Sequence, residues 1–451
     1  MSLADRILRS LFVSLAVGLG WGIRGDFGHL VGAMFPGAAL GMGFAFVSGQ
    51  KAALKWMPLV GAIGGLGIGL GGTMSYGILH GYAQSDTLIN YSYGFFTLVL
   101  QGGAWGCFGC ALIGLALESK SLRATELVAA TAVTLSSGAL VYFAVVNLLG
   151  FHINPPRSDL SIGYTGGVIG LFAWLVLNRK RMGFKGALFG YLGFGLGMAL
   201  GRLFANAARL QPYPVNHWNI MEVSCGLIGG FIFTFGMLGR KFPDPPEREG
   251  HPELAVLGSI YILGMIPTLH RVLRIKPEEK LEQWANALKG YGYQDPYGLS
   301  ELILTALNTV CILGFVGAGI WIYLHFKKEA GYGAFPILFF SLLMLLFQNL
   351  NALYFFYPRQ AGTINMHFVF WVLYGSMVLI ALLWRFRDLT EPEEASEKVR
   401  WGRWALGGIC VYLLIIVLAG FINGEETMKS ANTRFPLWSW RDGPIPGNPS
   451  P

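Results

Sequence analysis

The densest run of chemically capable residues is Trp21-Gly-Ile-Arg24-Gly-Asp26-Phe-Gly-His29, with a guanidinium, a carboxylate and an imidazole inside six positions. An arginine can fork onto a carboxylate or phosphate. A carboxylate or imidazole can carry a proton, and interspersed glycine lets a ligand or another backbone approach closely. A plainer use is available to the same groups: Arg24 and Asp26 can offset each other at a helix end. Two more charges lie deep in apolar sequence. Arg202 and Asn206 are four apart and Asn219 and Glu222 three apart, so each pair shares a helical face. Pairing Arg202 with Glu222 between consecutive helices would offset both charges.

Further along, Glu301, Thr305 and Asn308 recur at helical spacing, and Gln348, Asn349 and Asn351 crowd together ahead of Tyr354, Tyr357, Arg359 and Gln360. Asn365 and His367 then open the next apolar run. Carboxamides so closely spaced cannot all face one neighbouring helix, which points to a polar cavity as well as helix-to-helix bonding. The binding candidates are therefore Trp21, Arg24, Asp26, His29, Arg202, Asn206, Asn219, Glu222, Glu301, Asn308, Gln348, Asn349, Tyr354, Arg359 and His367. In this set the arginines would attract an anionic solute, the carboxylates would take a proton or sodium ion, and the aromatic rings would stack on a sugar or ring.

His29, His80, His152 and His217 fall one to a turn, near Asp26, Asp86, Asp159 and Glu222. Histidine and carboxylate suit zinc or iron, but no pair of ligands sits at metal-binding spacing on a single helix, so no metal is expected. Cys107-Phe-Gly-Cys110 has redox-like spacing but lies among glycines in an apolar run, where small residues serve packing. There is no phosphate-binding loop and no dinucleotide fingerprint, so no cofactor is expected.

The elements that must position these groups follow from composition. The 451 residues are 53% hydrophobic and 13% charged, with 63 glycines. A soluble domain carries about 25% charged residues. That shortfall excludes an ordinary cytosolic enzyme, a disordered chain and a disulfide-stapled module. It also argues against a nucleic-acid partner despite the net charge of +8. About 20 apolar residues cross a bilayer as a helix. Thirteen such runs occur, at roughly 8–23, 30–49, 57–80, 94–117, 125–149, 162–178, 184–207, 218–239, 253–269, 300–325, 334–357, 365–384 and 403–422. They are continuous rather than alternating, which excludes a β-barrel. The expected fold is an all-α polytopic membrane bundle of about 13 transmembrane helices.

Placing Arg6 and Arg9 inside puts 20 of the 33 lysines and arginines in inner loops, so the N-terminus reads as cytoplasmic and the C-terminus as outside. Met1–Gly22 lacks a small-residue cleavage site and reads as a retained first span. The setting expected is a bacterial cytoplasmic (inner) membrane.

Of the 63 glycines, 44 precede residue 251. This predicts a Gly-rich eight-helix bundle of helical hairpins over 1–242, then an aromatic-rich five-helix bundle over 243–424. Within the second part, Leu281, Trp284, Ala285 and Leu288 form one apolar face near 278–289. That pattern predicts an amphipathic helix on the outer surface or capping the bundle. Residues 425–451, rich in Pro and Trp, read as an outer tail able to contact a protein partner.

Polar groups gathered on one side of two bundles of unlike texture, with no energy-coupling domain, fit a secondary transporter of a small polar or anionic solute, coupled to H+ or Na+. Two other functions fit the same sequence. One is an outer-leaflet enzyme moving a glycosyl, acyl or phosphoryl group from a lipid carrier, and the other is a non-catalytic membrane subunit of a larger complex.

Overall fold

The computed structural model describes residues 1–72, 77–118, 124–153, 159–211, 215–238, 252–327, 333–358, 365–383 and 400–423. Among these, every regular element is helical. Besides two short helices, Lys51–Lys55 and Gly77–Tyr82, the helices are α1 (Leu3–Phe27), α2 (His29–Val47), α3 (Met57–Gly71), α4 (Leu88–Glu118) and α5, which runs Ala124–Tyr142 and ends in a wider π-helical turn, Phe143–Leu148. They continue with α6 (Leu160–Leu177), α7 (Arg181–Ala208), α8 (His217–Leu238) and α9, which passes from Pro252–Ser259 through a π-helical stretch, Ile260–Met265, into Ile266–Arg274. The last are α10 (Pro277–Gly290), α11 (Pro296–Lys327), α12 (Phe335–Asn351), α13 (Met366–Leu383) and α14 (Trp401–Ile422).

Eleven of these are long and apolar enough to cross a membrane, and the chain is an α-helical, multi-pass integral membrane protein. The other two of the thirteen expected runs become the shorter apolar helices α3 and α12, of 15 and 17 residues. At 1.5 Å per residue these span about 22 to 26 Å, less than a hydrocarbon core of about 30 Å. α12 stops because Leu353 turns into the left-handed region at φ 56°.

α1, α2, α4 and α7 form the buried centre, while α5, α6, α13 and α14 turn most of their apolar surface outward. Leu177 and Phe421, 80% and 81% exposed, belong against lipid, because only hydrocarbon leaves such surface without cost. The central helices meet through small residues. A side-chain carbon on Gly102 of α4 would stand 2.5 Å from the carbonyl oxygen of Phe194 on α7, and Gly106 and Gly190 lie each against the other's carbonyl. This is the close backbone approach expected of glycines four apart.

The helices after residue 252 pack on one another and also on the earlier ones. α9 packs on α3 and α11, α12 and α13 pack on α1, and α14 returns to lie on α7 and α4. The predicted divide at 242/243 and the predicted tail at 425–451 lie outside the described residues.

The two ends of the bundle differ. At the amino-terminal end Arg9 Nη1 donates to the Val47 carbonyl at 2.7 Å and its Nε pairs with Asp5 at 3.0 Å. Lys180 pairs there with Glu126 at 2.7 Å, and Glu118 accepts the first peptide N–H groups of α7. The opposite end carries Arg24, Arg202, Glu222 and Gln348. The amphipathic helix expected near 278–289 is α10; Trp284, Ala285 and Leu288 are buried, and Trp284 Nε1 caps this end by donating to the Asn351 carbonyl at 3.1 Å.

Candidate functional site

The six-residue turn expected at 24–29 contracts to one residue. Arg24 and Asp26 stay helical at the end of α1, and only Gly28 breaks the chain, at φ 81°, before α2 starts at His29. Glycine is required there twice over. The backbone is left-handed, and the guanidinium carbon of Arg274 stands 2.8 Å from where a Cβ would be. The hinge folds His29 back onto Arg24, whose Nη2 donates to His29 Nδ1 at 3.0 Å. A guanidinium has no acceptor, so Nδ1 is the unprotonated ring nitrogen.

Arg24 is 2% exposed. Its Nη1 meets Glu222 Oε1 of α8 at 3.4 Å. Its guanidinium carbon lies 4.8 Å from the ring of Trp21 and 4.9 Å from that of Trp105, two indoles stacked at 5.3 Å. Carboxylate and π faces thus share the work of holding a buried cation, and each desolvated cation–π contact contributes about 2 kcal/mol. Glu222 therefore belongs to Arg24, in place of the Arg202–Glu222 pair expected from adjacency in sequence.

Asp26 pairs away from Arg24. Its Oδ2 accepts from Gln348 Nε2 of α12 at 2.5 Å. Gln348 Oε1 in turn accepts from His367 Nδ1 of α13 at 3.0 Å and from Asn349 Nδ2 at 3.2 Å, and Asn349 Oδ1 accepts from Trp371 Nε1 at 3.2 Å. Every donor in this chain points toward Asp26, so the bonds polarise one another in one direction. Tyr354 stacks on His367 with ring centroids 4.8 Å apart. From above, Lys280 of α10 brings its charge to bear on Asp26; burial pushes the Lys280 ammonium below its usual range, and the carboxylate opposes that shift. His270 of α9 donates through Nδ1 to the Phe27 carbonyl at 3.3 Å, its ring against Phe27 and Phe347.

The structure thus brings together Trp21, Arg24, Asp26, His29, Glu222, Gln348, Asn349, Tyr354 and His367. It holds other candidates apart. Arg202 Nε donates to Asn206 Oδ1 at 2.7 Å, and Asn206 Nδ2 bonds the Ala83 carbonyl and Asn423 Oδ1 at 3.1 and 2.8 Å. Asn219 is half-buried, its peptide N–H capped by Asn216 Oδ1 at 3.2 Å. Glu301 and Asn308 lie on the exposed face of α11, where Asn308 Oδ1 accepts from Arg271 at 3.0 Å. Arg359 lies outside the described residues.

Three contributors were missed in sequence. Trp105 sits between glycines in Gly-Ala-Trp-Gly and reads there as packing. Lys280 lies on the polar face of α10, where only the apolar face carried a pattern. Trp371 is one of many aromatics in an apolar run.

The four turn histidines separate. His29 goes to Arg24; His152 pairs with Asp159 at 2.6 Å; His80 meets the edge of Trp218 at 5.2 Å; and His217 lies within reach of the Arg202 and Arg209 charges. Among the described residues no three of His, Cys, Asp and Glu gather closely enough to hold a metal ion.

Comparison with known protein families, with curated proteins and with solved structures returns no match.

Proposed function

We propose that the protein is a secondary transporter of a small polar or anionic solute, bound at the Arg24 end of the bundle. The observation that carries this reading is that α1 presents two opposite charges, each held by a different group of helices. Arg24 meets Glu222 of α8 at 3.4 Å, and Asp26 is held by α12 and α13 through Gln348. A solute anion competing for Arg24 releases Glu222, and a cation or proton on Asp26 releases Gln348. Ligand binding then changes which helices grip α1, and a ligand shifts a conformational equilibrium only through such a difference between states. The glycine contacts of α4 with α7 supply smooth faces along which helices can rock.

In this reading residues 1–242 and 243–424 are the two moving parts. The amino terminus faces the cytoplasm, the Arg24 end faces outward across a bacterial cytoplasmic membrane, and H+ or Na+ is the coupling ion. Asp26 and His29, exposed at that end, meet the solute first.

The test is uptake into proteoliposomes of radiolabelled carboxylates, phosphates and polyols under an imposed proton or sodium gradient. Gradient-dependent flux of one of them, lost in Arg24→Gln, is the expected result. Absence of flux for every class, with folded protein in the bilayer, overturns the proposal.

A further inference from the structure

A second cationic centre lies where α7 ends and α8 begins. Arg202, Asn206 and Arg209 recur at i, i+4 and i+7 and so share one face. Arg202 is 1% exposed, and its Nη2 is buried with no hydrogen-bond partner. Asn206, its one side-chain hydrogen-bond partner among the described residues, is neutral and is itself tied to the Ala83 carbonyl and Asn423.

The charges around it are of the same sign. Arg209 acts on Arg202, and both act on His217 in the first turn of α8, where Nδ1 is also buried without a hydrogen-bond partner. Among the described residues no carboxylate forms an ion pair with Arg202, Arg209 or His217. A buried guanidinium lacking a counter-charge is costly, and a bound anion removes that cost. Access is from the end of the bundle. Arg202 lies about 9 Å, six residues at 1.5 Å each, below the end of α7, whereas Arg209 and its chain neighbour Leu210 are exposed, as is Trp218 next to His217.

We propose that Arg202, Arg209 and His217 form a binding site for a phosphate group, with Arg202 as its floor and Arg209 at its mouth. Two guanidiniums and an imidazole supply several N–H donors, which matches the several acceptor oxygens of phosphate. The group can arrive as free phosphate or as the headgroup of an anionic phospholipid, since basic pockets between membrane helices take such headgroups. No hydrogen bond or ion pair among the described residues joins this centre to Arg24 or Glu222, so it stands independently of the transport reading.

The test uses the full chain in uncharged detergent, stripped of lipid and titrated with inorganic phosphate, dihexanoyl phosphatidylglycerol and dihexanoyl phosphatidylcholine, with calorimetry as the readout. Saturable binding of phosphate or phosphatidylglycerol, and not of phosphatidylcholine, is expected. Arg209→Gln should weaken it about tenfold or more, the value of one charge-assisted hydrogen bond, and Arg202→Gln should weaken it further. Arg209 is exposed and holds no ion pair, so its variant keeps the fold. Binding of phosphate itself identifies the free anion as sufficient; binding of phosphatidylglycerol alone identifies the headgroup. No saturable binding of either, equal binding of phosphatidylcholine, or affinity unchanged in Arg209→Gln overturns the proposal.

Discussion

Arg24 and Arg202 are the same residue type, both almost wholly buried and both near the same end of the bundle, yet their surroundings differ in kind. Arg24 meets a carboxylate, an imidazole and two indole faces. Arg202 meets one neutral carboxamide and the field of another arginine. The first is compensated by side chains of the protein itself. The second has no carboxylate partner among the described residues. Burial alone therefore says little about the role of an intramembrane charge; the sign and number of the groups around it separate a closed network from an open site.

Unpairing Arg24 should have the largest effect. Glu222→Ala leaves a buried guanidinium without its carboxylate and should lower stability by about 3 to 5 kcal/mol. Replacing both partners, Arg24→Met with Glu222→Leu, should recover most of that loss. Thermal unfolding in detergent checks both, and a double variant no better than the single one would show that the pair is not the compensating unit.

Next in size is Gln348→Leu, which strands the Asp26 carboxylate and the His367 donor together. A loss of about 1 to 3 kcal/mol is expected from unsatisfied partners, read by the same unfolding assay. Arg202→Met should behave differently from either. Without added anion it removes an uncompensated charge at the expense of one bond to Asn206, so its stability should stay within about 1 kcal/mol of the parent. A drop as large as that of Glu222→Ala would erase the distinction between the two arginines.

The smallest effect concerns Lys280. Burial holds its ammonium below the usual lysine range, so the folded chain binds fewer protons there than the unfolded chain. The charged form then costs stability at neutral pH, and that cost fades as pH rises through the lowered value. Asp26→Asn removes the opposing attraction and should lower the Lys280 midpoint further. A chemical-shift titration of labelled lysine side chains reads it; an unchanged or raised midpoint would place Lys280 outside the Asp26 network.

Much of this was visible in residue order. Each helix overlaps the apolar run that predicted it, though the runs at 57–80 and 334–357 yield only Met57–Gly71 and Phe335–Asn351, and α10 buries Trp284, Ala285 and Leu288 as its spacing required. The small residues of α4 and α7 announced close packing. The site was legible as a set of residue types at one end of the helices, and less so as a set of partners. Residues 24–29 looked like a loop because two glycines interrupt them, whereas Gly25 remains helical and only Gly28 needs its special backbone.

Residue order alone set the class of element. A bilayer admits only segments that satisfy their own backbone hydrogen bonds, so long apolar runs had to become helices, and period and length are local properties. The partner of each charge came from tertiary packing. Glu222 goes to Arg24 across 198 positions and Asp26 to Gln348 across 322, because helices distant in the chain became neighbours. No local periodicity encodes that adjacency, and it is the adjacency that closes one arginine and leaves the other open.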